Sequence, residues 1–289
     1  SKGGRWSPRV KKLSWKGLIL VYTFLIPVII IASFPQVGVV LLAVTDWATS
    51  GAFPSTTTMK NLAALIEEPD IVRAIGNSLT YSAAAVFVII LVGTSAAYVV
   101  ARKRIPGMDI LDIIVTIPIA VPGIIVAVGY FILFSQGVFS GTPFDIFENP
   151  GLLLIFSYTV RRLPFTARAV FAGLQQTHVS LEEASLSLGA SRVQTFIRIV
   201  IPLIAANIIG GGILSFVYCM SEVSTSITLA SFRPEQGPIT HYMSSIIGGG
   251  KVGVISYAAS LGVLLMTAQI ISMAVSNWIL KQRVAFLGV

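Results

Sequence analysis

Acidic side chains are rare in the apolar parts of this chain, and Glu222 in the string CMSEVSTSITL is the clearest case. If that sequence crosses a membrane, an ionisable group there is costly and usually faces protein or a water-filled cavity. Ser221 and Thr225 lie beside it, so one face of the segment is polar. Two interpretations stay open. Glu222 lines a pathway or gate, or it is a structural carboxylate paired with an arginine or a backbone amide of a neighbouring span.

Sequence patterns for catalysis or metal binding are absent. The chain has no GxxxxGK[ST], HExxH or G-x-S-x-G pattern. Its single cysteine, Cys219, excludes an intrachain disulfide and a cysteine metal cluster, and His178 and His241 lack the spacing of metal ligands. We therefore predict no catalytic residue, no metal site and no cofactor bound by this chain.

The elements that must position Glu222 are predicted to be membrane-spanning helices. Hydrophobic residues make up 55% of the 289 and charged residues 11%, against about 25% charged in soluble proteins. Several apolar runs exceed the roughly 20 residues that a helix needs to cross a bilayer. We predict an all-α polytopic membrane protein with six transmembrane helices, at about 18–44, 77–100, 109–134, 147–168, 202–229 and 254–280.

Three of these predicted spans contain polar residues or prolines that bear on their structure. Asn77 is a plausible cap of the second span. Pro118 and Pro122 are expected to bend the third span and expose backbone carbonyls, which are tolerated only against protein or a water-filled cavity. A gate element is therefore one interpretation of that bend. Arg161 and Arg162 interrupt the fourth span, and we expect them at its cytoplasmic end as anchors that snorkel to the headgroups.

The basic residues predict the orientation of the chain. Sixteen of the twenty Lys and Arg residues fall on one side of the predicted topology. Cytoplasmic loops of membrane proteins are enriched in these residues. We therefore predict a cytoplasmic basic tail 1–17, a cytoplasmic loop 173–201 and a cytoplasmic C-terminal tail 281–289. The net charge of +8 follows from this bias, and no nucleic-acid partner is predicted.

The cytoplasmic loop contains the stretch LEEASLSLGASRVQTFIRIVIP at 181–202. Ser180 with Glu183 fits a capping box at the start of a short helix, and Gly189 suits the left-handed residue that ends it. Ser191 with Gln194 fits a second capping box, followed by an apolar stripe at helical spacing. The pattern predicts two short helices joined by a hinge, the second of which runs toward the next span.

This helix–hinge–helix unit has three interpretations. A DNA-binding helix-turn-helix has a similar outline, but the tether between two spans argues against it. A plain interfacial connector would also be amphipathic. The third is a docking element for a cytoplasmic partner, since docking into a groove requires an apolar face with polar edges.

The same stretch resembles the EAA loop of the permease subunits of binding-protein-dependent ABC importers. That family has Glu-Ala-Ala, three residues, Gly, nine residues and Ile-x-Leu-Pro. The corresponding residues here are Glu183-Ala184-Ser185, Gly189, nine residues and Ile199-Val200-Ile201-Pro202. The chain departs from the pattern at Ser185 and Ile201. SEVSTSITLAS and GPITHYMSSIIGGGK look most similar to the branch that handles ferric iron, phosphonates, polyamines or thiamine.

The resemblance implies a MetI-like permease fold in a bacterial or archaeal cytoplasmic (inner) membrane, and a loop that docks on a separate ATPase. The residues of this coupling loop are then Glu182, Glu183, Ala184, Ser185, Gly189, Ala190, Arg192 and Pro202. ATP and Mg would be bound by the ATPase, not by this chain. Pathway or gate candidates are Glu222, Ser221, Thr225, Pro118 and Pro122.

The resemblance also implies partners. They are an ATP-binding subunit dimer, a second permease subunit that is related rather than identical, and an extracytoplasmic substrate-binding protein, all at the lipid bilayer. The expected substrate is ferric iron or another small charged solute. A secondary transporter or channel working without an ATPase is the alternative, since it too would have six spans and a buried acid.

Overall fold

The computed structural model describes residues 13–50, 53–102, 106–250 and 252–286, with side chains in the last range for 254–279 only. Most of these residues form α-helices, and the β-pairing among them is limited to an isolated bridge between Thr45 and Thr57. The helices are α1 Trp15–Val44, α2 Lys60–Glu67, α3 Pro69–Arg102, α4 Met108–Thr116, α5 Gly123–Phe134, α6 Pro150–Gln176, α7 Ser180–Ser187, α8 Arg192–Thr195, α9 Ile201–Met220, α10 Ser224–Ala230, α11 Ile239–Gly248 and α12 Val252–Phe286.

Four of these helical stretches are long and apolar enough to cross a membrane. They are α1, α3, the continuous helix Arg192–Met220 and the Val254–Ile279 part of α12. A bent pair, Met108–Ile119 with Gly123–Phe134, gives a fifth if it counts as one span. The fourth predicted span lies in α6, whose composition is less apolar because it contains several arginines. The mainly helical membrane architecture is confirmed, while the number six stays a prediction.

The third predicted span is broken where the prolines lie. A short 3-10 turn at Ile117–Ile119 includes Pro118, and Pro122 directly precedes α5. The two halves meet at an angle of 100°. The carbonyl of Pro122 accepts hydrogen bonds from the amides of Ile125 and Val126, so α5 restarts at once. The predicted bend is therefore present.

Two predicted features of the spans were wrong. Asn77 was expected to cap the second span, but it lies inside α3, which begins eight residues earlier at Pro69 and buries Ile71 and Ala74 in the core. The fifth span was predicted as one run over 202–229, but α9 ends at Met220 and α10 begins only at Ser224.

Helices α3, α6 and α9 form the centre of the molecule. At one end Leu174 of α6 packs with Ile204 of α9 and Ala97 of α3. Helix α1 packs against α12 and is otherwise exposed, as expected for a helix that faces lipid. Helix α3 contacts α7 near Arg102, and we call this end of the molecule the inner end. It contacts residues 235–239 near Asn77, and we call that end the outer end.

The predicted tails fall largely outside the described residues. Of the tail 1–17 the structure describes 13–17, and of the tail 281–289 it describes only the helical backbone to 286. The orientation of both termini stays a prediction.

Candidate functional site

The predicted helix–hinge–helix unit is present at the inner end. Helix α7 ends before Gly189, which adopts φ +89°, a left-handed conformation that suits glycine. Ser191 caps α8: its hydroxyl accepts from the Gln194 amide at 3.2 Å, and the Gln194 side chain accepts from the Ser191 amide at 2.9 Å. A π-helical turn, Phe196–Val200, joins α8 to α9 without a break. A force on this unit would therefore act directly on a membrane helix.

The first of the two predicted capping boxes was wrong. Val179 already has helical dihedral angles, so Ser180 lies inside the first turn of α7 rather than before it. The Glu183 amide donates to the Val179 carbonyl at 3.2 Å. The Ser180 hydroxyl instead lies 2.8 Å from Nδ1 of His178.

The two neighbouring glutamates of α7 have different environments. The Glu182 side chain is 11% exposed. It accepts from Nε of Arg102 at 2.7 Å and from the Tyr98 hydroxyl at 3.0 Å. Nη2 of Arg102 also donates to the carbonyl and the hydroxyl of Thr177, at 3.1 and 2.8 Å. Glu183 is exposed. Glu182 therefore joins α7 to the end of α3, while Glu183 faces outward.

Several apolar side chains are exposed on the same unit. Leu188 is 89% exposed, and Val193 and Ile197 are exposed as well. Ala184 and Arg192 also face outward, and Ala190 is half-buried in the hinge. The unit therefore presents an apolar knob edged by charge, as a docking element requires.

The residues that depart from the family pattern or follow the loop fit the fold. The hydroxyl of Ser185 lies 3.0 Å from that of Thr195, so it bridges α7 and α8 across the hinge. Pro202 is the second residue of α9 and directly follows the π-helical turn Phe196–Val200.

Glu222 lies at the break between α9 and α10 and is 3% exposed. Its two carboxylate oxygens bind the guanidinium groups of Arg161 and Arg162, both on α6. Sequence analysis left two interpretations of Glu222 open, a pathway residue or a structural carboxylate. The observed pairing with arginines of a neighbouring helix supports the structural carboxylate.

The expected position of the two arginines was wrong. Arg161 and Arg162 lie near the middle of α6, not at its cytoplasmic end. Both guanidinium groups bind the Glu222 carboxylate, so these side chains extend toward the α9–α10 break and not to the headgroups.

The charged cluster joins four parts of the molecule. Besides α6 and the α9–α10 break, it includes α11, since the Thr240 hydroxyl donates to the Glu222 carbonyl at 2.7 Å. Gly123 at the start of α5 lies so close that an added Cβ would be 2.8 Å from Nη2 of Arg161 and from the Ser224 hydroxyl. The bend of the third span therefore packs directly on the cluster.

Ser221 lines two separate cavities. One has a volume of about 450 Å³ and is lined by α6, α9 and α12, with Asn207, Tyr218 and Gln269 among its polar side chains. The other, of about 490 Å³, is lined by α10, α11 and α12, with Thr240 among its residues. Ser221 contributes to both walls, whereas Glu222 is absent from the described lining of either.

The other predicted gate residues are not among those that line the two cavities. Thr225 is fully buried, and Pro122 is exposed at the bend of the third span with Pro118 partly buried beside it. Among the described residues, no group of three His, Cys, Asp or Glu side chains could hold a metal ion.

Sequence reasoning missed Tyr98 and Arg102, which bind Glu182, and Thr177, which accepts from Arg102. The position of Arg102 at the end of a predicted span marks it as a charged residue of interest. Nothing in the sequence links it to a carboxylate eighty residues away.

Comparison with known sequences gives a family and several relatives. The family model described as "Binding-protein-dependent transport system inner membrane component" matches residues 89–286. The ferric transport system permease FbpB of Actinobacillus pleuropneumoniae is 34% identical over 66% of this chain, which spans only 27% of that relative. The molybdenum transport system permease ModB of Escherichia coli K12 is 30% identical over 72% of this chain and 93% of its own length.

Solved structures share the fold. A bacterial ABC transporter involved in import of the acidic polysaccharide alginate superposes with a TM-score of 0.68 at 17% identity, covering 91% of this chain and 94% of the other. The inward-facing methionine ABC transporter MetNI gives a TM-score of 0.55 at 19% identity, covering 74% and 99%. At these identities the likeness concerns the fold.

Proposed function

This chain belongs to the family of binding-protein-dependent transport system inner membrane components, and we propose that it forms half of the translocation pathway of an ATP-driven importer. It is thus a multi-pass permease subunit of the inner membrane. In the proposal, a separate ATPase hydrolyses ATP, and this chain converts the motion of that ATPase into uptake of a small solute. The chain itself carries no catalytic role.

The observation that carries the proposal is the docking unit α7–α8. Its exposed apolar residues, such as Leu188 and Val193, form a knob at the inner end. Its second helix runs without a break into α9. A knob exposed for a partner and fixed to a membrane helix is suited to transmit motion, which neither a channel nor a plain connector requires.

The pathway is proposed to follow the two cavities that Ser221 lines. Their position along α9, α11 and α12 supports a route from the outer end toward the inner end, with apolar walls that carry a few polar side chains. Ser221 is the constriction of this proposed route. Glu222 acts behind it by fixing the break between α9 and α10 to α6.

The proposed partners follow from the geometry of docking. The described residues contain one docking unit, whereas a dimer of ATP-binding subunits offers two clefts. A second permease, related rather than identical, is proposed to supply the other half. A substrate-binding protein is proposed to deliver the solute at the outer end. The bacterial alginate ABC transporter, which shares the fold, forms a complex with an alginate-bound periplasmic protein.

The proposed substrate is ferric iron or another small charged solute. The relatives that support this are named for transport of ferric ion, molybdenum and sulfate. Because both oxygens of Glu222 are engaged by arginines, we do not assign that carboxylate to binding a cationic substrate.

Co-purification of an ATPase tests the proposal. The tagged chain is solubilised from its native membrane and compared with Glu183→Lys and Gly189→Asp. The first reverses a charge on the docking surface, and the second places a side chain at φ +89°, which also strains the hinge. Ser187→Ala, an exposed change on α7, is the matched control.

We expect the native chain and Ser187→Ala to retain an ATP-hydrolysing subunit, and both docking variants to lose most of it. If the native chain purifies without an ATPase, or if the docking variants retain it fully, the unit is only a connector. A secondary transporter would then be the better interpretation.

A further inference from the structure

Helix α3 is held at its inner end by the coupling loop. Glu182 of α7 binds Arg102 and Tyr98, which lie one turn apart at the end of α3. Arg102 and Glu182 are 10% and 11% exposed. Since the desolvated pair is closed by further hydrogen bonds to Thr177, displacement of α7 without α3 would leave a buried charge unpaired.

The same helix is held at its outer end by the loop that precedes α11. Nδ2 of Asn77 donates to the carbonyls of Glu235 and Gly237, both at 3.1 Å. The Tyr81 hydroxyl donates to the Gln236 carbonyl at 3.0 Å. The hydroxyl of Ser78 accepts from the buried amide of Ile239 at 2.8 Å. Three side chains of α3 therefore fix the backbone of 235–239.

Between these two ends α3 is continuous. It has 34 residues, which at 1.5 Å per residue corresponds to about 50 Å. Proline occurs only at its first position, in contrast to the broken pairs α4–α5 and α9–α10. An uninterrupted packed helix moves as one body, because shifting only one end would break the buried contacts along its length.

The outer loop leads back to the proposed constriction. Thr240, at the start of α11, donates to the carbonyl of Glu222. Glu222 follows Ser221, which lines both cavities. A contiguous set of hydrogen-bonded elements thus runs from the docking unit through α3 and the outer loop to the α9–α10 break.

We infer that α3 is a connecting rod, with Glu182 and Arg102 as positioning residues at its inner end and Asn77 and Ser78 at its outer end. It moves the outer loop and α11 in step with the docking unit. This inference rests on the proposed function, because the motion originates in the partner ATPase. It assigns to Glu182 a role distinct from docking, which belongs to the exposed Glu183.

Nucleotide-dependent labelling of the outer loop tests the inference. Glu235→Cys introduces an exposed thiol, while the native Cys219 is buried and does not compete. The purified complex with its ATPase is treated with a membrane-impermeant maleimide, with and without a non-hydrolysable ATP analogue. We expect the labelling rate to change about threefold or more on adding the nucleotide, as the outer loop shifts between two states.

Variants at each end separate transmission from stability. In Glu182→Gln and in Ser78→Ala, the labelling rate should change little or not at all on adding the nucleotide, with the ATPase still bound. The exchange of Arg102→Glu with Glu182→Arg should restore part of it. Ser95→Ala is the matched control on α3, since its hydroxyl bonds only to Leu91 of the same helix, and it should respond as the native chain does.

The outcomes distinguish the two proposals. If the native complex contains the ATPase but shows no nucleotide response, or if Glu182→Gln responds as the native chain does, the rod is disproved and the importer assignment stands. If no ATPase accompanies the native chain, both proposals fall together.

Discussion

A carboxylate between two arginines is the most highly charged feature among the apolar helices. Glu222 is buried against Arg161 and Arg162. Such a cluster is stable among apolar helices only while all its members are present, because removing one partner leaves an unpaired charge in a medium of low polarity. Its structural effect is to tie the α9–α10 break to the middle of α6.

Glu222→Gln should therefore destabilise the protein by about 3 kcal/mol, because two guanidinium groups lose their counter-charge. The free energy of unfolding is measured by denaturant titration in detergent. A triple variant, Glu222→Gln with Arg161→Gln and Arg162→Gln, removes all the charges and should recover much of the loss. A Glu222→Gln chain as stable as the native one would contradict this account of the cluster.

Gly123→Ala should cost about 2 kcal/mol, because its Cβ would meet the Arg161 guanidinium, which Glu222 prevents from moving aside. Gly129→Ala is the matched control on the same helix, with no atom within 4 Å of the new Cβ. Its stability should be unchanged or slightly higher. Thermal unfolding of both variants measures the difference, and equal melting temperatures would show that the close approach does not matter.

The sequence predicts residue types at these sites better than it predicts partners. Pairing of Glu222 with an arginine was one of two interpretations, because the cost of a buried charge demands a partner. The identity of that partner depends on how α6 and α9 pack, across about sixty residues of chain. Arg161 and Arg162 were misplaced for the same reason.

At the scale of elements, the docking unit was largely predictable. Gly189 and the Ser191–Gln194 box are local signals, and local backbone chemistry decides them. The first box failed because Val179, directly before Ser180, already has helical dihedral angles, which sequence spacing does not reveal.

This difference between the two serines gives a prediction. Ser191→Ala should destabilise α8 by about 1 kcal/mol, since the Gln194 amide loses its cap. Ser180→Ala should have a smaller effect, below about 0.5 kcal/mol, because Ser180 lies within its helix. Amide hydrogen exchange across 192–195 measures the first effect and exchange across 180–187 the second. Equal effects would show that the Ser191 cap is not needed.

The break between α9 and α10 could not be predicted. The run 202–229 is apolar on average despite the polar residues around Glu222, and hydrophobicity reports whether a segment enters the membrane, not whether its backbone is continuous there. The break is stabilised by tertiary contacts, such as the Thr240 bond to the Glu222 carbonyl. The bend at Pro118 and Pro122 was predictable because proline acts locally.

At the scale of the whole molecule, composition and the EAA-like loop predicted a helical membrane permease, and the family match confirms it. The two cavities at Ser221 could not be predicted, since their walls come from helices distant in sequence. The connection from Glu182 through α3 to the outer loop is likewise a property of packing, visible only once both ends are in place.

ATP-dependent uptake in cells tests the central claim most directly. A strain lacking the native chain is complemented with the native sequence or with Glu183→Lys, and uptake of radiolabelled ferric ion, molybdate and sulfate is measured. The account predicts that the native chain restores uptake of a charged solute, that Glu183→Lys does not, and that depleting ATP abolishes uptake while collapsing the proton gradient leaves it. Uptake that follows the proton gradient and is equal for both chains would contradict the account and indicate a secondary transporter.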